Sequence, residues 1–525
     1  MVYLNSNHLL LSITAREESL KTLKYATMDA SDRMGCLPET RVDIVKFIQH
    51  WATDSASGHK VFWLHGLAGS GKSTLATTVA NKFQESRQLG AFLFFDRDVM
   101  ERSDPTNVIR TLAYQLGLSN PQIGAAITAV IEDTPSISMS PLRLQFMKLI
   151  IEPLSVIEGS LATAPLILVL DALDECGTTT QRRNLLAMLA AESHNLPSSL
   201  RILITSRPQS DIRHAFESRV HVLAFELDVT SEANAEDVSK YLRHRMLTIC
   251  TGTRYLDLGE DWPGEQSIQK LVRRACGLFV WASTASEFIV DGHDPQKRLE
   301  ILLKEDATSG TESALDALYR TALESSGKWD DADFVDDFRS ILGIILVARN
   351  PLPHDAIDGL LGPNKPRPSM RTISLLACVL GQSPTVRVLH PSFADFLMDQ
   401  GRCGRDVWYI DRDLHNFRLA VKCLERLDRA LKRNICNLAL NPSDARGKLP
   451  EDLAYACLFW IEHICMVTDN VVSITNRIND FLHQHLLHWL EAMSILGRSR
   501  ETIRLLEDLC GWVKVNSTLV LQYLS

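Results

Sequence analysis

Residues 66–73 read Gly66-Leu67-Ala68-Gly69-Ser70-Gly71-Lys72-Ser73, matching G-x-x-x-x-G-K-[ST] at every fixed position. That spacing suits one task, holding the phosphates of a nucleoside triphosphate. The glycines let successive backbone N–H groups turn inward onto phosphate oxygens, and a helix starting at the end of the loop aims the positive end of its dipole at them. Lys72 is then the cation for the β- and γ-phosphates, the Ser73 hydroxyl a ligand of Mg2+, and Thr74 the next group counted with the loop. The flanks separate this loop from a chance glycine-rich turn. Val61–His65 is a short apolar run of strand character, and Leu75, Val79 and Phe83 recur behind the loop at helical spacing.

Two more segments belong to the same chemistry. The apolar run Leu166 to Leu170 is followed by Asp171-Ala172-Leu173-Asp174-Glu175. An aspartate at the C-terminal end of a strand can hold the Mg2+ shell through water, so Asp171 takes that role. A carboxylate a few residues on can orient or deprotonate the attacking water; Glu175 is the first candidate and Asp174 the second, with a purely structural carboxylate as the alternative. A third run ends Ile204-Thr205-Ser206-Arg207-Pro208. Arg207 either senses the γ-phosphate or closes a surface salt bridge, and Thr205 is placed to reach the phosphate or the water. Arg97 and Asp98 lie past another strand end on the same rim, without an assignable role.

These groups need a sheet to carry them. Apolar runs at Val61 to Leu64, Ala91 to Phe95, Leu166 to Leu170, Arg201 to Thr205 and Val220 to Phe225 alternate with helical patterns. Runs that are apolar throughout belong to central strands buried on both faces, so an α/β domain with a parallel five-stranded sheet is expected over 60–227. Residues 1–59 read as an N-terminal segment with a linker helix over Leu37 to Trp51. Residues 228–325 read as a small helical domain with segments at Val238 to Met246, Ile268 to Ile289 and Leu315 to Leu323. Residues 326–400 suit a winged helix: helices near Phe338 to Ala348 and Ala356 to Leu361, a proline-rich loop at Gly362 to Ser369, and a strand at Thr385 to Leu389. Residues 401–525 read as helical, with apolar stripes such as Leu414, Phe417, Val421, Leu424 and Leu431 taken as packing core.

Composition sets outer bounds. At 525 residues the chain is too long for one core. A net charge of −9 gives no global attraction to nucleic acid or anionic lipid. The eleven cysteines show no C-x-x-C pairs, which reads as buried free thiols, Cys423, Cys457 and Cys465 among them, in a reducing cytosol. No signal-peptide pattern occupies residues 1–16, and apolar stretches such as Ile344 to Ala348 are far short of a membrane span, so a cytoplasmic protein is expected.

Taken as a set, Gly66 to Ser73, Asp171 to Glu175 and Ile204 to Pro208 resemble the NACHT module of the STAND class of P-loop NTPases. Gly277-Leu278-Phe279-Val280-Trp281-Ala282, Pro351 to Leu361 and Val388 to Leu397 are similar to the helical and winged-helix parts of fungal NACHT proteins, counterparts of animal NOD-like receptors. The resemblance implies a switch: ADP holds a closed monomer, a winged-helix histidine contacts its diphosphate, and exchange for ATP permits a ring-forming state. His390 stands at the matching position, where a core or turn histidine is the alternative reading. The family often has Gly-x-Pro in the helical domain, its proline lining the nucleotide pocket; Phe279 replaces it here. Effector and repeat domains of the family are not evident, so the chain reads either as a pared-down switch acting through partners or as a truncated gene model.

The expected function is therefore an ATP- or ADP-binding regulatory switch with slow hydrolysis, protein partners and nucleotide-dependent self-assembly. The alternatives are a continuously cycling remodelling ATPase and a nucleic-acid regulator. Six Lys/Arg balance six Asp/Glu between Phe334 and Asp399, which argues against DNA binding through the winged helix. No N/T-K-x-D motif marks guanine recognition, so ATP is favoured over GTP.

Overall fold

The computed structural model describes residues 14–54, 57–157, 165–252, 258–259, 261–304, 310–363, 367–382, 384–436 and 449–523. The expectation for the first residues, and part of the expected loop at Gly362 to Ser369, lie outside that set. The chain divides into two compact units, Met1–Ser286 with Glu305–Ala314, and Glu287–Lys304 with Leu315–Ser525.

The first unit is built on β1 (Val61–His65), β2 (Leu89–Phe94), β3 (Leu166–Asp171), β4 (Leu200–Ser206) and β5 (Val222–Glu226). All pairings are parallel, in the order β2-β3-β4-β1-β5. The five apolar runs of the sequence are these five strands. The last starts two residues later than expected, because Val220 lies in an exposed turn. Alternation decides which side chain goes where. Val61 and Trp63 pack into one core with Leu168, Leu170, Ile202 and Ile204, whereas Phe62 and Leu64 pack into the opposite core with Ile167, Val169 and Leu203. Burying each of these side chains contributes on the order of 2 kcal/mol. The second core also takes Leu75, Ala76, Val79, Ala80 and Phe83 from the helix Lys72–Glu85, fixing that helix against the sheet.

The strand order matters for function. β4 lies between β1 and β3, with Leu64 opposite Thr205 and Leu170 opposite Ile204. The end of β4 therefore projects between the loop that follows β1 and the aspartate that ends β3. Ala172, directly after Asp171, takes a left-handed conformation with φ 60°, turning the chain sharply into the short 3-10 helix Leu173–Glu175.

The helical run expected over Ile268 to Ile289 is two helices, Glu265–Ala275 and Phe279–Val290. Cys276 and Gly277 stand between them at φ 45° and 78°, which ends the first helix in a left-handed cap. A Cβ on Gly277 would lie 1.9 Å from the Val229 carbonyl oxygen. That carbonyl is held by Asn234 Nδ2 at 2.8 Å, and the same amide donates to the Gly277 oxygen at 3.0 Å. Neither backbone can retreat without losing a buried hydrogen bond. Gly277→Ala is expected to destabilise this unit by roughly 2–4 kcal/mol, read as a lowered unfolding midpoint in thermal denaturation. An unchanged midpoint would show that the clamp yields.

The second unit is described by itself. Helices Ala332–Val347, His354–Leu361 and Ser369–Ser374 are followed by two short antiparallel strands, Leu380–Gly381 and Arg387–Val388, and by the helix Pro391–Leu397. The strand expected over Thr385 to Leu389 is thus shorter. Further along come Arg412–Ala430, Glu451–Cys465, Val471–Ile495 and Glu501–Tyr523. The expected stripe on Arg412–Ala430 is rotated: Leu414 is exposed, while His415, Asn416, Leu419, Ala420, Cys423, Leu424 and Leu427 are buried. Asn416 can be buried because its Oδ1 meets His463 Nδ1 at 3.0 Å, and His463 Nε2 meets the Tyr455 hydroxyl at 2.7 Å. Burial keeps the His463 imidazole well below its usual pKa, hence neutral. Among the described residues, no helix is long and apolar enough to cross a membrane.

Candidate nucleotide-binding site

The loop between β1 and the helix Lys72–Glu85 has Gly69 at φ 75° and Gly71 at φ 93°, so only glycine fits either position without strain. Gly71 caps the helix, leaving its first N–H groups directed at the loop. The loop is also braced from outside. A Cβ on Gly69 would meet Val280 Cγ1 at 2.0 Å, and Val280 N donates to the Gly69 carbonyl at 3.1 Å. The Phe279 ring stands beside Gly71, with Tyr241 packed edge-on against it at 5.8 Å. Phe279 therefore approaches the phosphate loop although it is not the family's proline.

Lys72 is buried. Its Nζ donates to the carbonyl oxygens of Gly66 at 2.9 Å and Leu67 at 2.7 Å, closing the loop upon itself. Desolvation pushes its pKa down to about 8, against the opposing pull of Asp174, Asp171 and Glu175. The same charges define one electrostatic neighbourhood: ammonium, metal-type aspartate, both candidate bases and Arg207 all act on Lys72.

Asp171 is fully buried at the end of β3. Its Oδ1 accepts from the Thr205 hydroxyl at 2.6 Å, and that hydroxyl accepts from Ala172 N at 3.0 Å. Its Oδ2 accepts from Arg33 Nη2. Asp174 is engaged by Arg207 twice, through Arg207 N at 2.9 Å and Nε at 3.3 Å. Arg182 Nη1 donates to the Asp174 carbonyl at 2.8 Å, which fixes the turn. Glu175 lies one residue on, and desolvation raises its carboxyl to about 8, with Arg97 opposing and Asp174 and Asp96 reinforcing the shift. The two acids thus differ in kind. Asp174 anchors Arg207, whereas Glu175 is held near neutrality, the property of a group that exchanges protons.

The donor set fits a magnesium nucleotide. A hydroxyl at Ser73 and a carboxylate at Asp171 would be the one-or-two-ligand protein share of a Mg2+ shell completed by phosphate and water. Among the described residues, no cluster of three His, Cys, Asp or Glu offers a transition-metal cage instead.

A family model described as nephrocystin 3, N-terminal, matches residues 45–207, from the helix before β1 through Arg207. The vegetative incompatibility protein HET-E-1 of Podospora anserina is 22% identical over 91% of this chain and 36% of its own length, so the chain spans about a third of that relative. These two likenesses support a NACHT/STAND-type P-loop NTPase. Among solved structures, a Signal Transduction ATPase with Numerous Domains protein with a tetratricopeptide repeat sensor from Pyrococcus horikoshii is 14% identical, with a TM-score of 0.44 over 92% of this chain and 59% of that one. The Drosophila ORC bound to DNA is 12% identical, with a TM-score of 0.25 over 86% of this chain and 71% of that one.

Within the first unit the structure brings together Gly66 to Ser73, Asp171, Asp174, Glu175 and Arg207. Thr74 lies one step further into the helix, where its carbonyl accepts from Thr78 Oγ1 at 2.9 Å. His390 belongs to the second unit, where it caps the helix Pro391–Leu397 and its Nδ1 meets Ser392 Oγ at 2.6 Å. Thr205, expected to face phosphate or water, instead holds the metal-type aspartate. Two arginines escaped the sequence reading. Arg41, buried at φ 57°, donates from Nη2 to the Ser70 carbonyl at 2.8 Å and lies 4.9 Å over the Phe279 ring. Arg33 is the partner of Asp171. The only sequence hint for Arg41 is its place immediately before the helix Val42–Thr53; Arg33 offers none.

Proposed function

We propose that this chain is an ATP/ADP-dependent regulatory switch with slow hydrolysis, rather than a continuously turning motor. One observation carries the reading: Lys72, Asp171 and Asp174 are each engaged by groups of the protein itself, and Glu175 is held largely protonated. Lys72 binds loop carbonyls, Asp171 binds Thr205 and Arg33, Asp174 binds Arg207, and Glu175 is raised to about 8 and so mostly protonated near neutrality. A site at rest in this way favours holding a nucleotide over turning it over.

Bound Mg2+ would supply charge neutralisation for the phosphates, with Ser73 and Asp171 as its protein ligands. Lys72 would exchange its two carbonyls for phosphate oxygens. Arg207, steadied by Asp174 at the tip of β4, would address the terminal phosphate. Glu175, once ionised, would accept a proton from the attacking water. The resemblance gives His390 the part of a clamp on the ADP diphosphate. Eleven cysteines, all free thiols, favour a reducing compartment and hence the cytoplasm. Protein partners and nucleotide-dependent self-assembly belong to the same reading, as does ATP over GTP.

Mass spectrometry of nucleotide carried through purification tests it. Stoichiometric ADP is the expected result, released faster from His390→Leu by about tenfold, the worth of one charge-assisted hydrogen bond. An empty site in the purified protein, with rapid steady-state hydrolysis, would overturn the switch in favour of a cycling ATPase. An unchanged ADP off-rate would remove His390 from the clamp.

A further inference from the structure

The segment that precedes the helix Val42–Thr53 carries a cation into the heart of the site. Residues 24–30 and 33–37 have no regular secondary structure. They are tied down by side chains of the domain: Ala26 N donates to Thr111 Oγ1 at 2.9 Å, Thr27 N to Glu101 Oε1 at 3.0 Å, and Cys36 N to Thr78 Oγ1 at 2.7 Å. Between these ties Arg33 reaches inward. Its Nη2 binds Asp171 Oδ2, its Nε donates to Thr77 Oγ1 at 3.3 Å, and its guanidinium lies 4.5 Å from the centre of the Phe94 ring. Thr77 sits one helical turn behind Ser73 and its hydroxyl donates to the Ser73 carbonyl at 3.0 Å, so Arg33 bridges Asp171 and the helix that carries Ser73.

We propose that Arg33 is a protein-borne counter-ion which competes with Mg2+ for Asp171, so that occupation of the site by a magnesium nucleotide loosens residues 24–36. This rests on the nucleotide reading for the location of the metal. Asp171 is fully buried and needs a cation. Thr205 engages Oδ1 and Arg33 engages Oδ2, so Mg2+ or a water of its shell drawn to Oδ2 meets the guanidinium there. A dication drawn to that oxygen repels the guanidinium beside it and removes most of the negative charge that holds it. With Arg33 displaced, the segment keeps only scattered side-chain hydrogen bonds, the condition for local opening. The metal-loaded state of the site would thereby be reported on the surface, at a segment joined directly to the helix Val42–Thr53.

The experiment uses the full chain stripped of nucleotide, a fluorescent ADP, and MgCl2 or EDTA. Arg33→Gln should lower the Mg2+ concentration for half-maximal Mg-dependent ADP binding by about tenfold, the worth of one charge-assisted hydrogen bond, while leaving ADP affinity in EDTA unchanged. In the wild-type chain, hydrogen exchange over residues 24–36 should accelerate with ADP plus Mg2+ and not with ADP plus EDTA. An Arg33→Gln chain with an unchanged or raised Mg2+ requirement would overturn the competition and leave Arg33 as an orienting group. Exchange over residues 24–36 that ignores Mg2+ would overturn the release, whether or not the variant folds. Absence of ADP binding by the wild-type chain under both conditions would instead sink the nucleotide reading itself, and this inference with it.

Discussion

Lys72→Ala should abolish nucleotide binding, weakening ADP and ATP affinity by about a hundredfold or more in calorimetry. The side chain is the one cation of the phosphate loop, and hydrogen bonds to charged groups in a desolvated site are worth roughly 1.5–3 kcal/mol each. Its loss leaves buried loop amides facing phosphates with no compensating charge. The variant should not be a folding mutant, and the physics of the lysine itself says why. Its folded pKa of about 8 lies below the ordinary lysine value of 10.5, so the unfolded chain binds more protons between those limits. Stability must then rise with pH across that window, and at neutral pH the buried ammonium costs on the order of 3 kcal/mol before its carbonyl partners are counted. Alanine removes that rise. A nucleotide-free unfolding midpoint at least equal to wild type, no stabilisation by added nucleotide, and a flattened pH dependence above pH 8 form the expected triple. Undiminished affinity would refute the assignment of the loop.

The parts of this site that are legible in the sequence are those set by local spacing. Gly69 and Gly71 must have positive φ and Lys72 and Ser73 must follow them, so eight consecutive residues declare the loop. The five strands are legible for a related reason: a strand buried on both faces, such as Ile202 to Ile204, has no polar position to disguise it. What is not legible is the pairing of distant segments. The insertion of β4 between β1 and β3 decides that Thr205 braces Asp171 rather than facing phosphate, and no local pattern encodes strand order. Arg33 and Asp171 are 138 residues apart, and Arg41 and Ser70 are 29 apart. Arginines of that kind look like ordinary surface charges until the chain brings them to the loop. The face of Arg412–Ala430 was obscured differently. Buried His415 and Asn416 read as polar, and only the contact from Asn416 to His463, on another helix, makes that burial affordable.

The distinction between Asp174 and Glu175 gives the sharpest test of the chemistry. In sequence they are neighbours of equal rank. In the structure Asp174 is bound by both the backbone and the guanidinium of Arg207, so replacing it should disturb the arginine as much as any water. Glu175 stands apart from that pair, and burial raises its carboxyl to about 8 while Arg97 pulls the other way. Glu175→Gln should retain ATP binding within about threefold and slow single-turnover hydrolysis by roughly 10²–10⁴, the usual worth of a positioned general base. The pH profile adds a signature that a structural role lacks. A base must be ionised to work, so below its pKa the wild-type rate should climb about tenfold per pH unit and level off above it. The free protein places that break at about 8; Mg2+ close by favours the carboxylate, so the break moves down when the metal is bound, never up. In Glu175→Gln the slope should vanish, leaving a low rate flat across the same range. Normal turnover in the variant, or a slope that survives the substitution, would transfer the role away from Glu175 and leave its raised pKa as a mere consequence of burial.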